Sequence, residues 1–148
     1  MSSGPAASPT ALIIATLDTK PEEAQFLRAR VEDRGLDAVI ADGGSLGSPP
    51  IEGDITRREV AAAAGWDLDE LVATGDKGRI QAAQGQGLAI ITSRLAAEGR
   101  IQGVIAVGGG QGTALGTGAM QGLPLGFPKV MVSTLASGNM RPFLGTSD

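Results

Sequence analysis

The feature that most constrains the fold of this chain is a short apolar run followed directly by glycines. Residues 104–107 (Val-Ile-Ala-Val) are typical of a strand buried on both faces, as in parallel sheets. Residues 108–112 (Gly-Gly-Gly-Gln-Gly) follow at once, and beyond them apolar residues recur at a helical spacing. The pattern predicts a strand, a glycine turn and a helix. Such a turn directs unpaired backbone N–H groups and the positive end of a helix dipole at an anion, and a phosphate fits that description.

The glycine run does not reproduce an established phosphate-binding motif. No Gly-Lys-Ser/Thr follows it, as the Walker pattern requires, and it fits the dinucleotide-binding fingerprint only loosely. Thr113 adds a hydroxyl beside the turn. The glycines can also be interpreted as packing residues that allow a tight turn between a strand and a helix lying close together. The local sequence leaves both interpretations open.

Three further apolar runs predict the other strands of the same sheet. They span residues 11–17, 36–41 and 126–133, and helical segments lie between them. Strand–helix–strand units of this kind connect parallel strands by right-handed crossovers. We therefore expect an α/β fold with an open, doubly wound (Rossmann- or flavodoxin-like) parallel sheet in the strand order 2-1-3-4, with helices on both faces.

Local signals place the helices between these strands. Pro21 at a first helical position, with Thr19 as the expected N-cap and Gly35 as the expected C-cap, bounds the first helix. Gly85 and Gly87 lie inside the longest predicted helix, where they indicate a close approach of another group. Four later helices are expected to begin at capping residues or at the glycine turn: Thr56, Asp67, Asp76 and Gly112.

The loops that follow parallel strands lie together at one edge of the sheet. In the order 2-1-3-4, strands one and three are neighbours whose crossovers lie on opposite faces. The gap between their loops is then the switch point at which such sheets bind ligands. The candidate ligand-binding residues on these loops are Asp18, Thr19, Lys20, Gly108, Gly109, Gly110, Gln111, Gly112, Thr113, Ser133, Thr134, Ser137 and Gly138.

Several charged residues near this edge also have a structural interpretation. Lys20 is either a cation facing the crevice or a solvated lysine at a helix start. Asp18 is either a contact for Mg²⁺ or a ribose, or a cap or turn residue. Asp42 has the place of a ribose contact, although a turn aspartate before two glycines is the commoner case. Arg57 and Arg58 are interpreted as a solvated face.

Composition excludes several functional classes. The chain has no cysteine and no histidine, which removes thiolate chemistry, the commonest zinc ligand and the commonest general base. A metal is expected to be a hard cation such as Mg²⁺, held by carboxylate and phosphate oxygens. A net charge of −4 and an aromatic content of 3% argue against a nucleic-acid partner.

Length and hydropathy indicate a single domain without a membrane segment. The 148 residues suit one domain, with residues 1–10 as a disordered leader and 11–148 as the α/β unit. No apolar run approaches the roughly 18 residues of a membrane span, and no signal peptide is recognisable, so we expect a cytoplasmic location and no membrane partner. The last predicted strand lacks a helix to cover it, so the architecture is expected to continue.

Three segments closely resemble one known family. They are residues 14–20 (IATLDTK), 108–117 (GGGQGTALGT) and 129–138 (KVMVSTLASG), followed by Arg-Pro at 141–142 and Gly-Thr-Ser-Asp at 145–148. Together they resemble the Tm-1-like ATP-binding domain family, also named UPF0261. The likeness extends over nearly all of the chain after residue 10.

The resemblance implies nucleotide binding, with ATP as the ligand, at a site formed by loops 18–20, 108–113 and 133–138. It also implies that this chain is the first part of a longer two-part region. The expected partner is then that second part or another copy of the chain, because an apolar surface left uncovered favours self-association.

Three functions remain open on the sequence. In a nucleotide-binding module, the triphosphate would contact the glycine-loop N–H groups, Lys20 and the Thr113 hydroxyl, with Mg²⁺ near Asp18. Alternatively, an enzyme would bind a small phosphorylated or carboxylated metabolite in the same crevice, and Asp18 or Lys20 would transfer a proton. A protein-interaction domain would use its glycines for packing alone. Gln111 could orient a water molecule, but the sequence assigns no catalytic residue.

Overall fold

Four parallel strands form one sheet in the order β2-β1-β3-β4 in the computed structural model, which describes residues 6–145. The strands are β1 (Thr10–Ala15), β2 (Asp37–Asp42), β3 (Gly103–Gly108) and β4 (Lys129–Ser133). All three strand pairs are parallel, with Ile13 of β1 opposite both Ile40 and Ile105. The predicted α/β class and strand order are confirmed.

Five α-helices and a short 3-10 turn surround the sheet in the described part of the chain. The elements are α1 (Pro21–Glu32), α2 (Arg57–Ala63), α3 (Leu68–Ala73), α4 (Lys77–Ala97), α5 (Gly110–Gln121) and the 3-10 turn (Arg141–Phe143). The side chains of Thr56, Asp67 and Asp76 accept N–H bonds as N-caps, as predicted. None of these helices is long and apolar enough to cross a bilayer.

Two predicted helix starts need correction. The N-cap of α1 is Lys20, which caps without a side-chain hydrogen bond, and the Thr19 hydroxyl instead lies 2.6 Å from the Thr16 hydroxyl. The helix α5 begins at Gly110, two residues before the expected Gly112. In both places the N-cap residue, Lys20 or Gly109, makes no side-chain hydrogen bond of the kind that local sequence rules assume.

The first strand is displaced from its predicted bounds. It begins at Thr10, and the carbonyl of Pro9 accepts the N–H of Asp37, so sheet contacts start inside the predicted leader; residues 1–5 of that leader lie outside the described residues. The strand ends at Ala15 because the N–H of Leu17 donates to the Asp42 carboxylate instead of to a neighbouring strand. A long-range hydrogen bond therefore ends this strand.

The two faces of the sheet are covered unequally. On one face, Leu12, Ile14 and Val104 pack in a large core with residues of α2, α4 and α5. We call this the α4–α5 face. On the other face, Ile13 and Ile40 pack in a smaller core with residues of α1, and we call this the α1 face. Alternating side chains of each strand thus supply both cores.

Gly85 and Gly87 of α4, for which a close approach was predicted, have different surroundings. A Cβ on Gly87 would lie 1.9 Å from the carbonyl oxygen of Val60, so α2 and α4 touch backbone to backbone there. A Cβ on Gly85 would make only an ordinary contact, 3.5 Å from Leu115. The predicted close approach is confirmed at Gly87 alone.

Candidate functional site

The carboxyl ends of the four parallel strands define the edge on which the candidate residues lie. β1 and β3 are adjacent in the sheet, and their following helices, α1 and α5, lie on opposite faces. The turns after Ala15 and Gly108 therefore flank the topological switch point of the sheet. Open α/β sheets bind ligands in the crevice at this position.

The turn between β3 and α5 leaves backbone donors unpaired. Gly109 is the N-cap of α5 and has no side chain to accept a hydrogen bond. The first N–H of the helix that finds an acceptor is that of Thr113, which donates to the Gly109 carbonyl at 2.9 Å. The N–H groups of Gly110, Gln111 and Gly112 precede that bond, in the first turn, where no helical carbonyl reaches them. Among the α-helices of residues 6–145, only α5 has neither a capping side chain nor an acidic residue in this turn.

The glycines of this turn divide into two groups. A Cβ on Gly108 would lie 2.5 Å from the Cα of Gly112, and one on Gly116 would lie 2.5 Å from the Cβ of Ala106, so close packing requires these glycines. A Cβ on Gly109 would come no closer than 3.7 Å to the Thr134 hydroxyl, and one on Gly110 would meet no atom within 4 Å. Packing therefore explains Gly108 and Gly116 but not Gly109 and Gly110.

The hydroxyls of Thr113 and Ser133 are bonded inside the protein. Thr113 is fully buried, and its hydroxyl donates to the carbonyl of Gly109 at 2.6 Å. The Ser133 hydroxyl lies 2.6 Å from that of Thr113 and accepts the N–H of Leu135. Since the single proton of Thr113 goes to Gly109, Ser133 donates to Thr113, and neither proton remains for a phosphate. This pair holds the turn against β4.

The loop after β4 places a second hydroxyl beside the turn. The N–H of Thr134 donates to the carbonyl of Gly108 at 3.2 Å, and its hydroxyl lies next to Gly109. Ser137 and Gly138 are exposed in the following turn, where the Gly138 N–H donates to Leu135. Of the residues predicted on this loop, Thr134 is the one whose hydroxyl borders Gly109, the N-cap of α5.

The polar side chains after β1 have partners within the protein. One carboxylate oxygen of Asp18 accepts the N–H groups of Ser45 and Leu46, at 3.1 and 2.9 Å. The Lys20 ammonium pairs with Glu23 at 2.9 Å, and this hydrogen bond, followed by one from Glu23's own backbone N–H, lowers the pKa of Glu23 below its ordinary value. Asp18 and Lys20 thus tie their own turn together and attach it to the loop after β2.

A buried ion pair that the sequence analysis missed fixes this neighbouring loop. Arg57 is 8% exposed, and its Nε donates to Asp42 at 2.8 Å while its Nη1 donates to the carbonyls of Leu46 and Gly47. The interpretation of Arg57 as solvated is wrong, whereas Arg58 is exposed and pairs with Asp69. The Asp42 carboxylate also accepts the N–H groups of Leu17 and Gly44, so the turn interpretation of Asp42 is confirmed. One signal in the sequence could have indicated this pair. An aspartate at the end of a buried strand, Asp42, needs a nearby cation when it is buried, and Arg57 is that cation.

The acidic residues at this edge do not form a metal cluster. Within residues 6–145, no three residues of the metal-binding types lie close enough to hold an ion together. Asp18 uses one carboxylate oxygen for Ser45 and Leu46, which leaves the other for a cation. Because Mg²⁺ is commonly held by one or two carboxylates together with other oxygen ligands, the described residues supply one carboxylate oxygen at this edge and not a complete set of ligands.

Comparison with known proteins identifies one family. Residues 9–148 match the model described as "Uncharacterised protein family (UPF0261) N-terminal domain". A UPF0261 protein of Clostridium tetani is 40% identical over 137 residues, covering 93% of this chain and 34% of the relative. One from Rhizobium meliloti is 40% identical over 136 residues, covering 92% and 33%.

A plant protein is also similar. The protein named "ToMV susceptible protein tm-1(GCR26)", from Solanum lycopersicum, is 33% identical over 156 residues, covering 95% of this chain and 21% of the relative. The chain therefore spans about a third of the length of its bacterial relatives and less of the plant one. Because the family model covers nearly the whole sequence, the chain belongs to the UPF0261 family.

Proposed function

We propose that this chain binds the phosphate groups of a nucleotide, with ATP as the ligand, at the start of α5. The observation that carries the proposal is the set of unpaired N–H groups of Gly110, Gln111 and Gly112, which we call the glycine cradle. The open space over Gly110 supports it, because a phosphate oxygen can approach the backbone where no side chain intervenes. The Thr134 hydroxyl is close enough to Gly109 to add a donor.

The charge of a triphosphate must be neutralised by groups outside the cradle. Lys20 is the cation that the predicted strand order puts at this crevice, but its ammonium is paired with Glu23. We expect the nucleotide to bring Mg²⁺, with Asp18 offering its remaining carboxylate oxygen. Lys20 would have to exchange Glu23 for phosphate, and this exchange lowers the affinity that its charge can provide.

A small phosphorylated or carboxylated metabolite is the second candidate ligand. One observation favours it: the polar side chains of the site all have partners inside the protein, namely Asp18, Lys20, Thr113 and Ser133. The groups that remain to bind a ligand are therefore mainly neutral backbone N–H donors. Backbone N–H groups at a helix start suffice for one phosphate or carboxylate. We propose ligand binding and assign no reaction, since no side chain at the cradle has the geometry of a general base.

Calorimetric titration of the chain with Mg-ATP, ADP, AMP and a phosphorylated sugar tests both candidates. The nucleotide proposal predicts saturable binding that weakens as phosphates are removed. Equal affinity for AMP and the sugar phosphate would favour the metabolite. Absence of binding for all four would contradict both, provided that the same result is obtained with the full-length Clostridium tetani relative, since this chain covers 34% of that protein.

Two glycines of α5, Gly110 and Gly118, have open space where a side chain would stand, and they provide a matched pair of variants. Gly110→Val fills the space over the cradle, whereas Gly118→Val adds the same side chain to an exposed position of the same helix, also without an atom within 4 Å. Both should fold, because valine exceeds glycine in helix propensity by about 0.3–0.5 kcal/mol. We expect Gly110→Val to lose about tenfold or more in affinity while Gly118→Val binds like the parent. Equal affinities in the two variants would place the ligand elsewhere.

A further inference from the structure

The α1 face of the sheet has room for one more helix. Strands lie about 4.8 Å apart and helices are about 10 Å wide, so a four-stranded sheet accommodates about two helices on each face. On the α4–α5 face, α2 and α5 lie against the strands and α4 packs against both, while the α1 face carries α1 alone among the described residues. The helix α1 packs over β1 and β2 and its core reaches Val107 near the end of β3, which leaves the rest of β3 and β4 without a helix on this side among the described residues.

The uncovered area is apolar and concave. Val130 and Val132 of β4 are 53% and 49% exposed, and Phe26 on the edge of α1 is 62% exposed. Ile105 of β3 lies between them and lines two neighbouring hollows of about 340 and 500 Å³. We call the area formed by Phe26, Leu36, Ile105, Val130 and Val132 the open slot. Exposed apolar patches of this kind on one face of a sheet mark an interaction surface.

The segment after β4 runs over the opposite face. The side chain of Gln121 in α5 donates to the carbonyl of Phe143 at 3.0 Å, so the 3-10 turn packs against α5. A right-handed crossover from β4 to a strand outside it would also pass on the α4–α5 face, as α5 does between β3 and β4. The open slot therefore remains for a helix that follows such a fifth strand, as in doubly wound sheets with the order 2-1-3-4-5.

We propose that an amphipathic α-helix fills the open slot, and that it comes from the part of the full-length protein that follows the region matched here. The bacterial relatives continue for about two thirds of their length outside the match. The strands are five or six residues long, so about 11–13 helical residues would span the slot.

Charge on the border of the slot defines the helix further. Arg30 and Arg34 line the hollow beside Ile105. Arg30 pairs with Asp33, whereas Arg34 makes no ion pair with any residue between 6 and 145. The incoming helix should therefore carry apolar residues toward β3 and β4 and an acidic residue on the side that meets α1. This proposal concerns a surface separate from the glycine cradle and does not depend on the proposed function.

Single-thiol labelling tests the proposal, because the natural sequence contains no cysteine. Val132→Cys is made in this chain alone and in a chimera in which this chain replaces the matched third of the Clostridium tetani relative. Maleimide labelling of the peptide that contains position 132 is followed by mass spectrometry. We expect labelling in the chimera to be at least about tenfold slower than in the isolated chain, because the helix would exclude the reagent. Leu125→Cys, at a position 75% exposed in the α5–β4 loop, should label at the same rate in both.

The other outcomes overturn the proposal. Equal rates at position 132 in both proteins would show that nothing beyond this region covers the slot. Protection in the isolated chain that grows with protein concentration would show that a second copy occupies it. If the chimera does not unfold cooperatively, the remaining part of the relative is added to the isolated Val132→Cys chain. Protection that saturates with the added part supports the proposal, and unchanged labelling contradicts it.

Discussion

Two turns flank the switch point of the sheet, and they use opposite chemistry. The turn from β1 to α1 contains Thr16, Asp18, Thr19 and Lys20, and each of these side chains is bonded within the protein. The turn from β3 to α5 consists of glycines, and its backbone N–H groups remain unpaired. Polar side chains are conspicuous in a sequence, but here they build the wall of the crevice, while the residues without side chains leave the donors available.

The largest expected effect comes from removing the Asp42 carboxylate, which holds the turn from β1 to α1 (the first of the two turns) in place. Asp42→Ala deletes the acceptor for Leu17 and Gly44 and leaves the Arg57 guanidinium buried without its counter-ion. Loss of one partner of a buried ion pair costs about 3–5 kcal/mol. Urea denaturation should show this decrease in the free energy of unfolding.

The control for this variant is Asp69→Ala, which breaks the exposed pair with Arg58. We expect no measurable shift in its denaturation midpoint, since solvent screens exposed pairs. A similarly small effect for Asp42→Ala would show that the first turn does not depend on its buried charge. The two turns would then not differ in their dependence on polar side chains.

The second effect concerns the turn from β3 to α5. It distinguishes a glycine that close packing requires, Gly108, from one with space for a side chain, Gly109. Gly108→Ala places a Cβ 2.5 Å from the Cα of Gly112, a backbone atom that cannot rotate away. Overpacking of this kind costs about 1–3 kcal/mol. Gly109→Ala, whose Cβ would come no closer than 3.7 Å to another atom, is the matched control and should stay within about 0.5 kcal/mol of the parent. Equal losses in thermal unfolding would mean that the whole glycine run serves packing.

The third effect concerns Asp18, which the sequence left open as a contact for Mg²⁺ or a ribose or as a cap or turn residue. Asp18→Ala removes the acceptor of two loop N–H groups, one partly buried and one exposed, and should cost about 0.5–1.5 kcal/mol. Hydrogen exchange should accelerate at the amides of Ser45 and Leu46 and remain unchanged at the amide of Glu59, whose acceptor is Thr56. If stability and exchange were unaffected while Mg-ATP affinity fell, Asp18 would be a ligand contact and not a structural residue.

The sequence predicted those features of the fold that local patterns determine. The apolar runs predicted the four strands, and Thr56, Asp67 and Asp76 predicted three helix starts, because an N-cap needs only residues two or three positions away. The strand order followed from the general rule for crossovers between parallel strands.

The sequence did not predict the hydrogen bonds and the ion pair that bind the polar side chains of the site to other parts of the protein. Asp18 reaches Ser45 across 27 residues, and Thr113 reaches Ser133 across 20 residues. The burial of Arg57 likewise depends on Asp42, which is 15 residues away. Such pairings follow from strand order and loop geometry, which side-chain type alone does not specify.

The smallest expected effect separates the structural role of Lys20 from its proposed role at the ligand. Glu23→Gln weakens the pair with Lys20, and because the Glu23 carboxylate is 44% exposed, the loss should be below about 0.5 kcal/mol near pH 7. Since the pKa of Glu23 is lowered in the folded state, the pair stabilises the protein above the unfolded pKa, ordinarily 4.5. The difference from the parent should therefore vanish as the pH falls below 4.5 through the folded pKa. If Lys20 contacts the phosphates of the nucleotide, Glu23→Gln should also bind Mg-ATP more tightly, because the Lys20 ammonium no longer has to separate from the Glu23 carboxylate. Unchanged affinity would assign Lys20 to the first turn alone and leave the phosphates to the glycine cradle.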